Sequence, residues 1–320
     1  MPEPLPEIQV LLATYNGDRF LREQIDSILA QTYRNVRILA RDDGSRDSTP
    51  DILRDYAARH PDKFTLLPDS TPTGSAQMNF KQLLLASTAP YVAFSDQDDV
   101  WLPQKLELSM AAMRDLESRA DPAKPLLIFT DLRVVDEQLR TRADSFWHME
   151  HLKPESIHKL RLSVARNVVT GCTMLLNGPL ADLTARMPPD CPAHDCWAGL
   201  LAQIFGSASY VDQPTILYRQ HGENVVGARD QPSTFQPPRL RDHTGRARLW
   251  KLQQQQARLM LQHHGGEMPA ATRDILENYV ATDASRNRIT RIINTLSHGF
   301  LYSYPRLTIG MLWYLWDCEA

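Results

Sequence analysis

The chain has 320 residues, 42 % hydrophobic and 23 % charged, and its 35 Lys/Arg against 38 Asp/Glu leave a net charge of −3. This suits one large α/β domain with an appendage, or two modest domains, and excludes a basic nucleic-acid binder as well as a solvating acidic chain. The four cysteines (Cys172, Cys191, Cys196, Cys318) form no CxxC pair, residues 1–7 lack the form of a secretion signal, and no run of about 18 apolar residues occurs, so a cytoplasmic location without a spanning helix is expected.

The elements follow in chain order. Residues 8–14 form an apolar run that predicts a buried strand, broken by Asn16-Gly17. Phe20, Leu21, Ile25, Ile28 and Leu29 then recur at helical spacing. Residues 36–40 predict a second strand, ending in Asp42-Asp43-Gly44-Ser45. Thr49-Pro50-Asp51 predicts a helix start with Thr49 as the capping hydroxyl. Residues 64–67 and 91–94 predict two more strands, separated by a polar loop around Gly74 and a helix through Phe80, Leu83 and Leu84. This βαβαβαβ rhythm predicts a mostly parallel, doubly wound sheet, whose ligands bind beyond the carboxyl ends of the strands. Further on, helices are expected near 103–116 and 194–205, and strands near 126–135, 168–176 and 215–218. Residues 230–238, rich in Pro and Gln, read as a linker, and residues beyond 249 read as helical, with a glutamine run at 253–256. The boundary is placed at 230, with a catalytic domain over 1–230 and a linker with helices over 231–320. From Arg239 to Ala320 there are 11 Lys/Arg and 7 Asp/Glu, so a basic tail follows an acidic front.

Neither GxGxxG after the first strand nor GxxxxGK[ST] occurs, which argues against a dinucleotide fold and a P-loop. The sharpest feature is Asp96-Gln97-Asp98-Asp99 at a strand end. Crowded carboxylates repel one another, and a hard divalent cation relieves that repulsion. His221, just after the last strand, could complete such a site as a neutral imidazole. Asp195 sits at a helix start, where an acid is commonly a cap, and is also placed to serve as a general base for a hydroxyl. Cys191, His194 and Cys196 match no standard zinc spacing.

Val10–Asn16, Gln31-Thr32-Tyr33, Asp42–Ser45, Ser95–Trp101 and Tyr218–Asn224 together resemble an inverting family 2 glycosyltransferase, most of all its bacterial rhamnosyltransferase-like members. The resemblance covers residues 8–227 and implies an A-type glycosyltransferase fold, a nucleoside-diphosphate sugar donor (rhamnose on dTDP by subgroup) and a glycan or lipid-linked glycan acceptor in cell-envelope polysaccharide synthesis. Residue by residue, it implies that Ala13, Thr14, Tyr15 and Asn16 lie beneath the nucleoside and that Asp43 contacts the base. Asn79 matches a polar residue near the donor. Asp96, Gln97 and Asp98 match the Asp-x-Asp motif, which holds ribose and a Mg²⁺ or Mn²⁺. Asp195 matches the catalytic base, and His221 a metal or diphosphate contact. The Gln-x-x-Arg-Trp motif of processive members is absent, which favours single transfers. Trp101 and Trp197 are candidate sugar-stacking surfaces for the acceptor. Two other readings stand beside this one. Asp96-x-Asp98-x-Val100 also fits the nucleophile motif of haloacid-dehalogenase-like phosphatases, without their later metal motif, and a non-catalytic nucleotide- or carbohydrate-binding module is the third reading. Arginines and aromatic residues over 286–316 suggest peripheral contact with the inner face of a membrane.

Overall fold

The computed structural model describes residues 5–68, 71–222, 243–285 and 287–317. The expected linker at 230–238, the last two residues of the Tyr218–Asn224 stretch, Arg286 and Cys318 lie outside the described residues.

The first half follows the predicted rhythm: β1 (Ile8–Thr14), α1 (Leu21–Leu29), β2 (Val36–Asp42), α2 (Thr49–Arg59), β3 (Phe64–Leu66), α3 (Ala76–Ala86) and β4 (Tyr91–Ser95). β1 pairs in parallel with both β2 and β4, and β2 with β3. Its apolar run is continuous because both faces are covered. Leu11, Leu39, Val92 and Phe94 turn to one apolar cluster, whereas Val10, Leu12, Ile38, Ala40 and Ala93 turn to the other. The register sets Thr14 opposite Asp42 and Leu12 opposite Ser95, so the carboxyl ends of three strands open on one edge.

After β4 come β5 (Val100–Trp101), α4 (Lys105–Arg119), β6 (Leu126–Val135), β7 (Thr141–Ala143), α5 (Phe146–Met149), α6 (Leu160–Ser163), β8 (Leu175–Asn177), α7 (Gly178–Thr184), α8 (His194–Phe205) and β9 (Ser207–Arg219). The sheet runs β3-β2-β1-β4-β8-β6-β9-β5, with β7 beside β6. The expected parallel pairing holds over β1–β4. The second half is mixed, because β8 lies antiparallel to both β4 and β6, and β5 antiparallel to β9. The strand expected over 168–176 is a 3-10 turn at Gly171–Thr173 followed by the three residues of β8. Val168 and Val169 are buried all the same, with Val169 against Gly199 of α8, so the apolar run there reports burial and not extension. The cap of α2 is also displaced. Ser48 holds the cap position, and the Thr49 hydroxyl instead accepts from the Gly17 N–H at 2.8 Å, tying α2 to the loop after β1.

Among the described residues, four helices follow β9: α9 (His243–His264), α10 (Ala270–Ala284), α11 (Arg288–Ser297) and α12 (Pro305–Asp317). They do not form a separate core. Trp250, Tyr279, Phe300, Met311 and Leu315 are buried in the same apolar cluster as Leu11 and Phe94 of the sheet. Trp250 donates to Asp283 Oδ1 at 2.9 Å, and its ring meets Tyr279, which meets Phe300 edge-on. No helix among the described residues is long and apolar enough to cross a membrane.

Candidate active site

The loops after β1 and β2 are held to each other by short-range chemistry. Asn16 adopts φ +48°, a left-handed conformation that Asn tolerates. Its N–H donates to Ser45 Oγ at 2.7 Å and its Oδ1 accepts from the Arg46 N–H at 2.8 Å. Thr14 Oγ1 donates to Asp42 Oδ1 at 3.0 Å, and the other Asp42 oxygen accepts from the Gly44 and Ser45 N–H groups. Gln97 clamps the Tyr15 peptide: Oε1 accepts from its N–H at 2.7 Å and Nε2 donates to its carbonyl at 2.9 Å. A side chain at Gly17 would lie 2.3 Å from that amide, so glycine is what lets Gln97 reach.

This placement revises several expectations. Ala13 and Thr14 are buried, leaving Tyr15, 55 % exposed, and Asn16 as the exposed residues of that loop. Asn79 is 2 % exposed and its amide is engaged inside the fold. Its Oδ1 accepts from Arg41 at 2.8 Å, and its Nδ2 donates to the Thr14 and Arg41 carbonyls, binding β1 to β2. Gln97 uses one N–H and one lone pair of its amide on Tyr15, so it positions that loop and keeps a second N–H and a second lone pair. Asp43 accepts from Arg41, from the Thr73 N–H and hydroxyl, and from the Gly74 N–H, all within 2.7–3.0 Å. Burial raises its pKa, and these donors outweigh that and hold it below the usual carboxylate range. Its acceptor positions are filled, so a bond to a base must replace one of them.

The acidic motif lies where β4 and β9 end. Asp98 Oδ2 and His221 Nε2 are 2.8 Å apart. Arg219, 1 % exposed, holds this corner: its Nε donates to the Asp98 carbonyl at 2.9 Å, Nη1 to the Glu137 carbonyl at 2.6 Å and Nη2 to Glu23 at 2.5 Å. Burial pushes Asp96 up to about 7, with the charges of Asp98 and Asp195 adding to it. Asp99 is pushed well above its ordinary value by burial and by the charges of Asp98 and Asp96. Beneath it lies Lys105, fully buried 4.2 Å over the Trp101 ring, its pKa lowered to about 8 by burial.

Asp195 opens α8 from the other side. Its Oδ1 accepts from the Cys196 N–H at 2.7 Å, and its Oδ2 accepts from Asn167 at 3.3 Å. Burial pushes the carboxyl up to about 6. His194 beside it is packed between Phe80 and Phe94, with ring centroids 4.6 and 5.4 Å away, and burial lowers it to about 4. The preceding turn is gripped from α9 by the glutamine run: Gln255 donates to the Asp190 carbonyl at 2.9 Å, Gln256 to Ala193 at 3.3 Å, and Gln253 accepts from the Cys196 thiol. Gly171 makes room for His194, since a Cβ there would lie 2.6 Å from His194 Nε2. Gly171→Ala is therefore expected to cost about 1–3 kcal/mol through overpacking, read by chemical denaturation. A loss below the error of the fit would show that His194 moves freely.

Trp101 and Trp197 are 2 % and 0 % exposed and offer no face to a sugar. Trp101 packs on Lys105 and donates its indole N–H to Gln24, while Trp197 packs on His264. The expectation of an acceptor platform at these residues fails, because burial of a large apolar ring outweighs a site role. Among the described residues, the side chains close enough to share a metal in a group of three are Asp96, Asp99 and Cys172, within 4.8 Å. Cys172 is buried and its thiol is pushed well up by burial, which holds it protonated and a poor ligand. Cys191, His194 and Cys196 form no such group among the described residues. Arg219, Asn167, Lys105 and the roles of Gln253–Gln256 were missed from sequence. Arg219 lay inside the Tyr218–Asn224 stretch and the glutamines stood out as a run, whereas Asn167 carries no local signal.

The glycosyl transferase family 2 model matches residues 9–175, more than half of the chain. The dTDP-rhamnosyl transferase RfbG of Shigella flexneri is 28 % identical over 224 residues, 68 % of this chain and 74 % of that protein. An uncharacterized glycosyltransferase of Rickettsia prowazekii is 28 % identical over 176 residues, 53 % of this chain and 50 % of that protein. Among solved structures, the mannosyltransferase PcManGT of Pyrobaculum calidifontis, in complex with GDP-Man and Mn²⁺, superposes with a TM-score of 0.56 at 19 % identity, covering 98 % of this chain and 86 % of that one. Residues 1–349 of S. aureus TarS with UDP-GlcNAc give 0.56 at 15 % identity, covering 91 % and 73 %. The fold is of the A-type glycosyltransferase class. The chain belongs to glycosyltransferase family 2 and is a glycosyltransferase, which sets aside the phosphatase and binding-module readings.

Proposed function

We propose that this family 2 glycosyltransferase moves a sugar, with inversion, from a nucleoside-diphosphate donor to a hydroxyl of a glycan or lipid-linked glycan. The observation that carries the reading is the placement of the acids. Asp98 meets His221 at 2.8 Å on one side, and Asp195 stands apart on α8, yet close enough for its charge to be felt at Asp96. Tyr15 and Asn16 would meet the nucleoside, and Asp43 would reach the base by exchanging the Thr73 hydroxyl. Asp98 and His221, an oxygen and an imidazole donor amid carboxylates that repel one another, suit a Mg²⁺ or Mn²⁺ ion. Such an ion, when bound, supplies positive charge to the departing diphosphate.

The protein's own part is proton transfer and orientation. Ionised Asp195 takes the proton from the acceptor hydroxyl as that oxygen bonds to the anomeric carbon and the bond from carbon to the diphosphate oxygen breaks. One base suffices, since the leaving diphosphate needs no protein acid.

Rhamnose on dTDP is the donor best supported, by the likeness to RfbG. Thermal-shift screening of nucleoside-diphosphate sugars with and without Mn²⁺ tests it. A donor at 100 times its Kd should stabilise the fold by about 2.7 kcal/mol, and dTDP-rhamnose should give the largest metal-dependent shift. A larger shift from another donor would replace the sugar, and no shift from any would overturn the donor reading.

A further inference from the structure

Ten large apolar side chains are exposed among the described residues, and six of them fall on the last two helices. Ile289, Ile293 and Leu296 line α11, 50–57 % exposed, and Ile309, Trp313 and Trp316 line α12, 46–56 % exposed. Each triplet sits at i, i+4 and i+7, one side of a helix. The core does not need these residues. The inward sides are already supplied by Arg291 and Thr295 on α11, and by Met311, Tyr314 and Leu315 on α12. The two helices that carry the stripes pack against each other.

Basic residues dominate the charges of this segment; Asp317 ends α12, and Asp283 before it is engaged by Trp250 and Arg258. No Asp or Glu occurs from residue 284 to 316. Arg288 and Arg306 are exposed in the first turns of α11 and α12. Arg161 reaches over to the His298 carbonyl at 2.8 Å, Lys153 lies 5.1 Å over the Tyr304 ring, and Arg166 lies 5.4 Å over Tyr302. A second copy of the chain would bring two such basic rims together. An anionic bilayer answers both halves of the surface: headgroups for the guanidinium and ammonium groups, and the interface for tryptophan and isoleucine. At about 1.5 Å per residue, the 13 residues of α12 reach about 20 Å, too short to span, so the helix would lie in the plane of the interface.

We infer that α11 and α12 form a peripheral docking surface for a membrane bearing anionic lipid. This goes beyond the donor and acceptor reading, and its test contains no sugar. The full chain is sedimented with vesicles of phosphatidylcholine, with and without phosphatidylglycerol, at low and high salt. Two surface variants, Trp313→Ser with Trp316→Ser and Ile289→Ser with Ile293→Ser, are compared after their melting temperatures have been matched to the parent. The parent should pellet with the phosphatidylglycerol vesicles, less at high salt, and each variant should bind about tenfold more weakly, as expected when apolar side chains leave an interface. A parent that stays in the supernatant with every vesicle overturns the inference, as do folded variants that pellet like the parent. A lipid-free dimer that the variants convert to monomer also overturns it, by assigning the surface to a second copy.

Discussion

Asp195→Asn is expected to lower turnover by about 10²–10⁴-fold, the usual worth of a positioned base, and to leave donor affinity unchanged. The substitution keeps shape and one oxygen that can still accept from the Cys196 N–H, gives up the bond from Asn167, and removes the charge and the capacity to take a proton. The parent should also show an acid limb. Burial pushes the Asp195 carboxyl up to about 6, and the base acts only when ionised, so the rate should fall as pH drops through about 6. Single-turnover kinetics across pH, with calorimetric titration of nucleoside diphosphate and Mn²⁺, separates the two effects. Loss of nucleotide affinity in Asp195→Asn would dissolve the division of labour.

Asp98→Ala is expected to do the converse. Mn²⁺-dependent affinity for nucleoside diphosphate should fall by at least about 100-fold, roughly 2.7 kcal/mol, with turnover lost alongside. The fold should survive, because Arg219 grips the carbonyl of Asp98 and not its carboxylate. Removing that charge also relieves Asp96 and Asp99, whose carboxyls it helps push upward. The variant should therefore melt no lower than the parent. Calorimetry with and without Mn²⁺ decides: an unchanged metal dependence would move the cation away from Asp98 and His221.

The legible part of the fold was the part whose signal is local. β1 and β2 announce themselves as apolar runs because both faces of those strands are buried. β5 and β8, with two and three residues, carry too little sequence to show, and strand direction is set by what lies beside a strand in space. The site divides in the same way. Spacing and motif order single out the carboxylates of Asp96, Asp98 and Asp195, and the structure sets them around one edge of the sheet. Amide side chains are ambiguous in a sequence, since Asn79 and Gln97 bond to peptide groups as readily as an amide bonds to a ligand. Trp101 and Trp197 failed for a related reason: a ring suited to stack on a sugar is equally suited to fill a core. The tail expected to meet a membrane has an apolar inner side that completes the core and an outer side that the core does not use.

The glutamine run of α9 sets an order of assembly. Gln255 and Gln256 hold carbonyls 65 and 63 residues earlier in the chain. The loops beside Thr14, Asp42 and Gln97, by contrast, bond among themselves within the first hundred residues. During translation, at about 5–20 residues per second, those loops have all their partners seconds before α9 leaves the ribosome. The loops after β1 and β2 thus have their mutual partners early, whereas the turn before Asp195 has to wait for α9.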